Sequence, residues 1–168
     1  MNITTAEKTS IPDIMNLISE CISGMEAQGI YQWGDFYPTL DIITKDIQCE
    51  SLYIMQNQKD CLGIISFDQE QEAEYEKIKW LSDKSPVLIV HRLAVFPKWQ
   101  GLGIARKLMD YAERFAIENE YASIRLDVYS GNRRAIKFYE QRSYKKTGQV
   151  FFPMREHPFY CYEKVLKV

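Results

Sequence analysis

Histidine and paired cysteine are what this chain most lacks. Its 168 residues hold only His91 and His157, and the cysteines Cys21, Cys49, Cys61 and Cys161 form no C-x-x-C pair. Such spacing offers neither the common zinc patterns nor a disulfide framework. We therefore expect no metal site and reduced thiols, each a small buried apolar side chain, in a cytosol. No apolar run approaches the roughly 20 residues a membrane span needs, and the N-terminus carries no apolar signal core. The expectation is a cytoplasmic protein with no membrane partner. Net charge is only −2, from 21 Lys+Arg against 23 Asp+Glu, which argues against a nucleic-acid binder relying on a broadly basic surface. Any positive site has to be local. Repeats, linkers and low-complexity tracts are missing too, so residues 1–168 are expected to form a single domain with a sizeable core.

What is present reads as alternating strands and helices. Met1 to Thr5 forms a short first strand. Ser10, ahead of Ile11-Pro12-Asp13, is placed to cap a helix whose stripe is Ile14, Leu17, Ile18, Cys21, Ile22 and Met25 and whose stop is Gly29. Residues 29–38 form a loop crowded with Tyr31, Trp33, Phe36 and Tyr37, aromatics that either cap the core or wall a pocket. Trp33 and Tyr37 are the candidates for a substrate pocket. Thr39 to Ile47 reads as a second helix with Leu40, Ile43 and Ile47 inward. Ser51 to Gln56 and Cys61 to Phe67 read as strands joined by a turn at Asn57-Gln58-Lys59-Asp60. Asp68 to Ser85 is acidic, with Glu70, Glu72, Glu74 and Glu76, and reads as a solvated excursion or as a rim attracting a cationic substrate.

From Leu88 the pattern becomes strand, turn, glycine loop and helix. Val90, Leu93, Val95 and Phe96 make the strand, ended by Pro97. Ile104, Leu108, Met109, Ala112, Phe115 and Ala116 line one face of the helix. Gly101 and Gly103 between them let the backbone approach a ligand and turn its N–H groups inward, and the helix aims its positive end at the same place. Lys98, Arg106 and Lys107 add charge, and no acid interrupts Val87 to Met109. This is a site for phosphate or pyrophosphate. It is not a P-loop, because no Lys-Ser or Lys-Thr follows Gly103. Nor does it fit a dinucleotide fingerprint, because Phe96 to Gln100 separates strand from glycines. Ala122 to Tyr129 then reads as a buried strand, Ser130-Gly131-Asn132 as a turn capping a helix over Arg133 to Arg142, and Tyr144 onward and His157 to Val165 as further strands. The order implies an α/β protein of the α+β type: a mixed, largely antiparallel sheet of six to seven strands flanked by about four helices.

The stretch L-A-V-F-P-K-W-Q-G-L-G-I-A-R-K-L resembles the acetyl-CoA-binding motif of the GCN5-related N-acetyltransferase (GNAT) superfamily. Gln100, Gly103 and Ala105 match its [QR]-x-x-G-x-[GA] loop. Downstream, Asn132 to Tyr139 is similar to the family's N-x-x-A-x-x-x-Y helix. The resemblance implies the family's fold and acetyl-CoA as cosubstrate. Pyrophosphate would be held by Gln100, Gly101, Leu102, Gly103, Ile104, Ala105 and Arg106, and pantetheine by the strand segment Leu93, Ala94, Val95. Asn132 would contact the pantetheine arm, and Tyr139 would sit beside the CoA sulfur as general acid to the leaving thiolate. Where family helices end in Gly-Phe this chain has Ser143-Tyr144, which implies a left-handed non-glycine cap.

The implied reaction is direct attack of a neutral amine on the thioester, with the oxyanion held by a strand N–H near Val95. The glutamate some members carry on the central strand corresponds to Val87 here. His91 resembles the histidine of arylalkylamine-type members, shares a strand face with Leu93 and Val95, and is the candidate base, an imidazole titrating ordinarily near ~6.5. Arg92 reads as a structural ion-pair partner. The expected acceptor is a small-molecule primary amine. The alternatives are a peptide N-terminus or lysine, or a non-catalytic acyl-CoA sensor. The aromatic tail could pack a homodimer or simply finish the sheet.

Overall fold

In the computed structural model residues 2–58 and 60–167 are described; Met1 of the expected first strand and Lys59 of the expected hairpin turn lie outside them. The strands are β1 (Asn2–Thr5), β2 (Leu52–Gln56), β3 (Cys61–Asp68), β4 (Val87–Val95), β5 (Ser123–Tyr129), β6 (Lys145–Val150) and β7 (Phe159–Val165). The helices are α1 (Ile11–Glu26), α2 (Leu40–Gln48), α3 (Ile104–Glu118) and α4 (Arg133–Gln141). The strands form one seven-stranded sheet in the order β1-β2-β3-β4-β5-β7-β6. β4 and β5 run parallel, whereas β1–β2, β2–β3, β5–β7 and β6–β7 are antiparallel. This is the mixed sheet with four helices that the sequence leads one to expect.

The chain divides into two compact units, Met1–Phe67 with His91–Ala112 and Asp68–Val90 with Glu113–Val168. In the first, the α1 stripe of Ile14, Leu17, Ile18 and Cys21 is buried with Ile43 and Ile47 of α2, Leu52 and Ile54 of β2, Ile64 of β3 and Ala94 of β4. Each of the Leu and Ile side chains among these, taken fully from water, contributes about 1.5–3 kcal/mol. In the second, Leu88 and Ile89 of β4, Ile124 and Leu126 of β5 and Cys161 and Tyr162 of β7 are buried. Along β5 every residue but Asp127 is buried, polar Ser123 and Arg125 included.

Several local expectations need correction. Ser10 stands at the start of α1, but it ends a short 3-10 turn in helical conformation (φ −84°, ψ −8°) and its side chain caps nothing; capping requires an extended backbone there. Thr39 does cap α2, accepting from the Ile42 N–H at 3.4 Å. On α2, Leu40 is 51% exposed and the inward face is Ile43, Asp46 and Ile47. Among the aromatics of residues 29–38, Trp33 is buried and Tyr37 partly so, but Tyr31 and Phe36 are exposed. Cys21, Cys61 and Cys161 are buried as expected, while Cys49, just past the end of α2, is exposed. The acidic stretch is not simply solvated, because Tyr75 and Ser82 within it are buried.

The expected left-handed cap is present. Ser143 has φ +68°; its N–H bonds the Glu140 carbonyl at 3.0 Å, and the Tyr144 N–H bonds the Tyr139 carbonyl at 3.2 Å. These are the two bonds of a Schellman motif, whose left-handed residue favours glycine. Ser143→Gly should therefore stabilise the protein by about 0.5–1 kcal/mol, read as a higher denaturation midpoint; an unchanged or lower midpoint would contradict the strain assigned to Ser143.

Candidate functional site

The first unit carries the end of β4 and everything up to Ala112. Along β4, Arg92 and Ala94 are buried while the alternating His91 and Leu93 are half-buried, so His91 and Leu93 share the opposite face of the strand. A guanidinium on the buried face needs partners, and Arg92 has three. Its Nη2 pairs with the Asp46 carboxylate of α2 and donates to Ser66 Oγ of β3 at 3.2 Å. Its Nη1 donates to the Tyr37 hydroxyl at 2.7 Å. Burial alone would push the guanidinium down, but Tyr37 and Asp46 hold it above its ordinary value. Arg92 is thus the structural ion-pair partner anticipated from sequence, and it ties down the aromatic loop. That loop closes by paired backbone bonds between Gly34 and Tyr37 at 3.0 and 3.1 Å. Trp33 lies edge-on to Tyr37, ring centroids 6.5 Å apart.

At the end of β4 the Val95 carbonyl accepts from Gln100 Nε2 at 3.1 Å and from Cys21 Sγ at 3.3 Å. Both its lone pairs are used, and Gln100 braces the glycine loop against the strand. Gly101 and Gly103 have φ +79° and +78°, the left-handed region that favours glycine, and a Cβ added at either would meet nothing within 4 Å. Their role is conformational, and the space above them is open. The Lys107 N–H bonds the Gly103 carbonyl at 3.1 Å, the first rung of α3; the N–H groups of Ile104, Ala105 and Arg106 precede it, where a helix has no internal acceptors. Leu102 is 64% exposed at the loop tip. Lys98 is engaged with Asp60 at 2.8 Å, so the exposed Arg106 and Lys107 are the nearby cations the loop can use.

The second unit carries α4. The Asn132 side chain accepts from the Ala135 N–H at 3.1 Å and caps the helix. Tyr139, two turns on and on the same helix face, is buried and meets Phe138 and Tyr144 edge-on at 5.1 and 5.8 Å between centroids. Its pKa is raised, first by burial and then by the charge of Asp127. Asp127, half-buried on β5, accepts a hydrogen bond from the Tyr75 hydroxyl at 2.6 Å.

Three further groups are brought together only by the fold. Asp46 sits one helical turn from Ile43 on the buried stripe of α2. Tyr75 is a buried aromatic in an acidic run, packed on Trp80 with ring centroids 5.1 Å apart. The third is the pair Arg125–Glu163, bonded at 2.9 Å with Glu163 wholly buried. Arg125 also donates to Gln71 Oε1 at 3.0 Å and to the Ser82 carbonyl at 2.7 Å, and lies over the Trp80 ring. The acidic stretch is thereby pinned to β5. Asp46 in the apolar stripe of α2 and Arg125 between Ile124 and Leu126 are charges that break apolar patterns, whereas Tyr75 carries no such signal. Among the described residues no group of three or more His, Cys, Asp and Glu could hold a metal ion, and no helix is long and apolar enough to cross a membrane.

Comparison with known proteins agrees with this geometry. Residues 11–144 match the family model described as the Acetyltransferase (GNAT) family. An uncharacterised N-acetyltransferase of Archaeoglobus fulgidus is 26% identical over 149 residues, covering 87% of this chain and 94% of the relative. Among solved structures, a GNAT-family acetyltransferase of Streptococcus agalactiae 2603 superposes with TM-score 0.83 at 22% identity, covering 99% of this chain and 96% of that one. Naa50 of Arabidopsis thaliana, in complex with the bisubstrate analogue CoA-Ac-MVNAL, superposes with TM-score 0.70 at 16% identity, covering 98% of each chain. At those identities the two structures speak for the fold.

Gly101→Ala and Gly103→Ala should each lose about 1–2 kcal/mol of stability from the left-handed backbone alone, measured by denaturant unfolding. Neutral effects at both positions would mean that the loop does not hold this conformation.

Proposed function

Since this chain belongs to the acetyltransferase (GNAT) family, we propose that it moves an acetyl group from acetyl-CoA to the primary amine of a small molecule, with residues 1–168 acting as one catalytic domain. The observation that carries this reading is the loop at Gly101 and Gly103: two left-handed glycines with open space above them, followed at once by the first N–H groups of α3. That arrangement suits an anion with two phosphates, since the backbone supplies donors and the helix end supplies field. Arg106 and Lys107 add charge, and the exposed Leu102 gains a cover when a ligand lies on the loop.

In this reading residues from Gln100 to Arg106 hold the pyrophosphate, Gln100 by bracing the loop. Leu93, Ala94 and Val95 hold the pantetheine arm. The Val95 carbonyl is already occupied, so the share of Val95 falls on its N–H. Asn132 fixes the start of α4 and addresses the same arm. Acetyl-CoA supplies an activated acyl carbon, and the acceptor nitrogen displaces the thiolate from it. Tyr139 gives its proton to the departing sulfur. A phenol raised by burial and by Asp127 stays protonated through the whole working pH range, so the acid is always loaded. A cysteine relay is disfavoured at Cys21, Cys61 and Cys161. Burial pushes all three thiols up to about 12, and the thiolate is the nucleophile. Direct transfer fits better. His91, half-buried on the face it shares with Leu93, takes one proton from the incoming ammonium, and the second, released as the amide forms, restores the Tyr139 phenol.

The second reading is a peptide N-terminus as acceptor. It is favoured by the fold shared with Naa50, whose bisubstrate analogue joins CoA to a peptide.

Thiol release should be followed with n-butylamine, putrescine, phenethylamine, spermidine and a short peptide as acceptors. Turnover of small amines ahead of the peptide is expected, the reverse order would favour the second reading, and tight acetyl-CoA binding without turnover of any would indicate a sensor. Tyr139→Phe should lower kcat about 100-fold or more with acetyl-CoA affinity kept; unchanged turnover would remove the acid from Tyr139. His91→Ala should lose rate at neutral pH and keep it at high pH, where the amine is already deprotonated. An unchanged pH profile would exclude His91 as base.

A further inference from the structure

The helix that carries Tyr139 has little apolar packing of its own. α4 is nine residues long, too short to be stable alone, and Tyr139 is the one buried residue among them. Asn132 caps its start, so its far end depends on polar contacts. Arg142, the residue that ends the helix, lays one edge of its guanidinium on Glu113 of α3: Nε lies 3.1 Å from Oε1 and Nη2 lies 3.0 Å from Oε2. Two bonds from a planar guanidinium to one carboxylate fix direction as well as distance. The pair is mostly out of water, with side-chain exposures of 14% and 15%. Glu113 also accepts from Lys164 of β7 at 2.9 Å. One carboxylate therefore joins α3, the end of α4 and β7. The Tyr162 hydroxyl of β7, donating to Glu140 at 2.9 Å, is a second and independent tether of the same helix end.

Two routes lead from Glu113 to Tyr139. The first is backbone: the Tyr139 carbonyl accepts from the N–H groups of Arg142 and Tyr144 at 3.0 and 3.2 Å. The second is through rings. Tyr139 meets Phe138 and Tyr144 edge-on. The Arg142 guanidinium lies over the Phe138 ring, 5.7 Å from its centroid, and the Lys164 ammonium lies over the Tyr144 ring at 5.5 Å. The two cations that Glu113 binds are thus the two that cover the rings against Tyr139. A phenol hydroxyl lies on the axis of its ring, so whatever orients the ring aims the proton.

We propose that Glu113 is a positioning residue for acetyl transfer: by holding Arg142 and Lys164 together it orients the Tyr139 ring and aims its proton at the departing CoA sulfur. This inference rests on the reading of Tyr139 as general acid and deepens it, since Glu113 lies outside the glycine loop and the α4 motif and acts only through other residues. Proton transfer needs donor and acceptor within hydrogen-bond reach, and small misplacements cost rate steeply. The Tyr162–Glu140 tether keeps the helix end in place when Glu113 is changed, so the cost falls on alignment.

The test is a double-mutant cycle read in steady-state kinetics, with the amine of the panel turned over fastest. Glu113→Gln keeps the shape and removes the charge. Its kcat should fall about 5–20-fold, with the KM of acetyl-CoA and of the amine kept within about twofold. In the Tyr139→Phe background the same substitution should change kcat by less than about twofold, because the proton it aims is already gone. Arg142→Lys, which keeps the charge and loses the fork, should show a smaller loss with the same dependence on the Tyr139 hydroxyl, and it carries the test alone if Glu113→Gln does not fold. An unchanged kcat, or an equal loss with and without that hydroxyl, would mark a merely structural pair and overturn the proposal, while a slow Tyr139→Phe in the same series would leave the acid reading standing. Tyr139→Phe turning over like wild type, or a wild type without turnover, would remove the acid reading and this inference with it.

Discussion

A guanidinium taken out of water has to be met by oxygen on nearly every side, and each compact unit of this protein contains one. Arg92 draws Asp46 from α2, Ser66 from β3 and Tyr37 from the aromatic loop. Arg125 draws Glu163 from β7 and Gln71 and Ser82 from the acidic stretch. Breaking such a pair from one side costs about 3–5 kcal/mol, because the other charge is left buried alone. The pairs also set register. With Arg92 committed to the buried face of β4, His91 and Leu93 have to take the other, and a slip by one residue would exchange the faces. The chemistry proposed for the strand follows from an ion pair that takes no part in it.

The same logic runs at the loop. α3 begins with N–H groups that its own geometry leaves without acceptors, and two left-handed glycines deliver the chain to that point with nothing above them. Gln100 and Cys21 occupy the Val95 carbonyl and so fix the strand end from which the loop departs. At α4, Asn132 caps one end and the Ser143 turn closes the other, holding Tyr139 between two structured ends. Backbone demands thus explain why glycine, asparagine and the turn residue stand where they do, and the family motifs are the visible trace of those demands.

That distinction also separates what could be read from the sequence from what could not. Gly101, Gly103, Asn132 and the departure at Ser143 act within a few residues of themselves, so spacing exposes them. The element order and mixed sheet were legible for the same reason, through periodicities of two and of three to four. Asp46 and Arg92 are 46 positions apart, Tyr75 and Asp127 are 52, and Arg125 and Glu163 are 38. No local pattern announces such pairs, and each disguises itself: Asp46 as a break in an apolar stripe, Tyr75 as part of a solvated run, Glu163 as an exposed strand residue. Leu40 misled in the opposite sense, since apolar character alone does not say which face of a short helix turns inward, and Cys49 because it lies just past the end of that helix.

The account stands or falls on the cradle formed by the glycine loop and the first turn of α3. Its most direct measurement is a map of backbone amide chemical shifts during titration with acetyl-CoA. The account predicts the largest saturable changes at Gly101 to Arg106, with a second group at Leu93 to Val95. Saturable binding that leaves Gly101 to Arg106 unperturbed would contradict it.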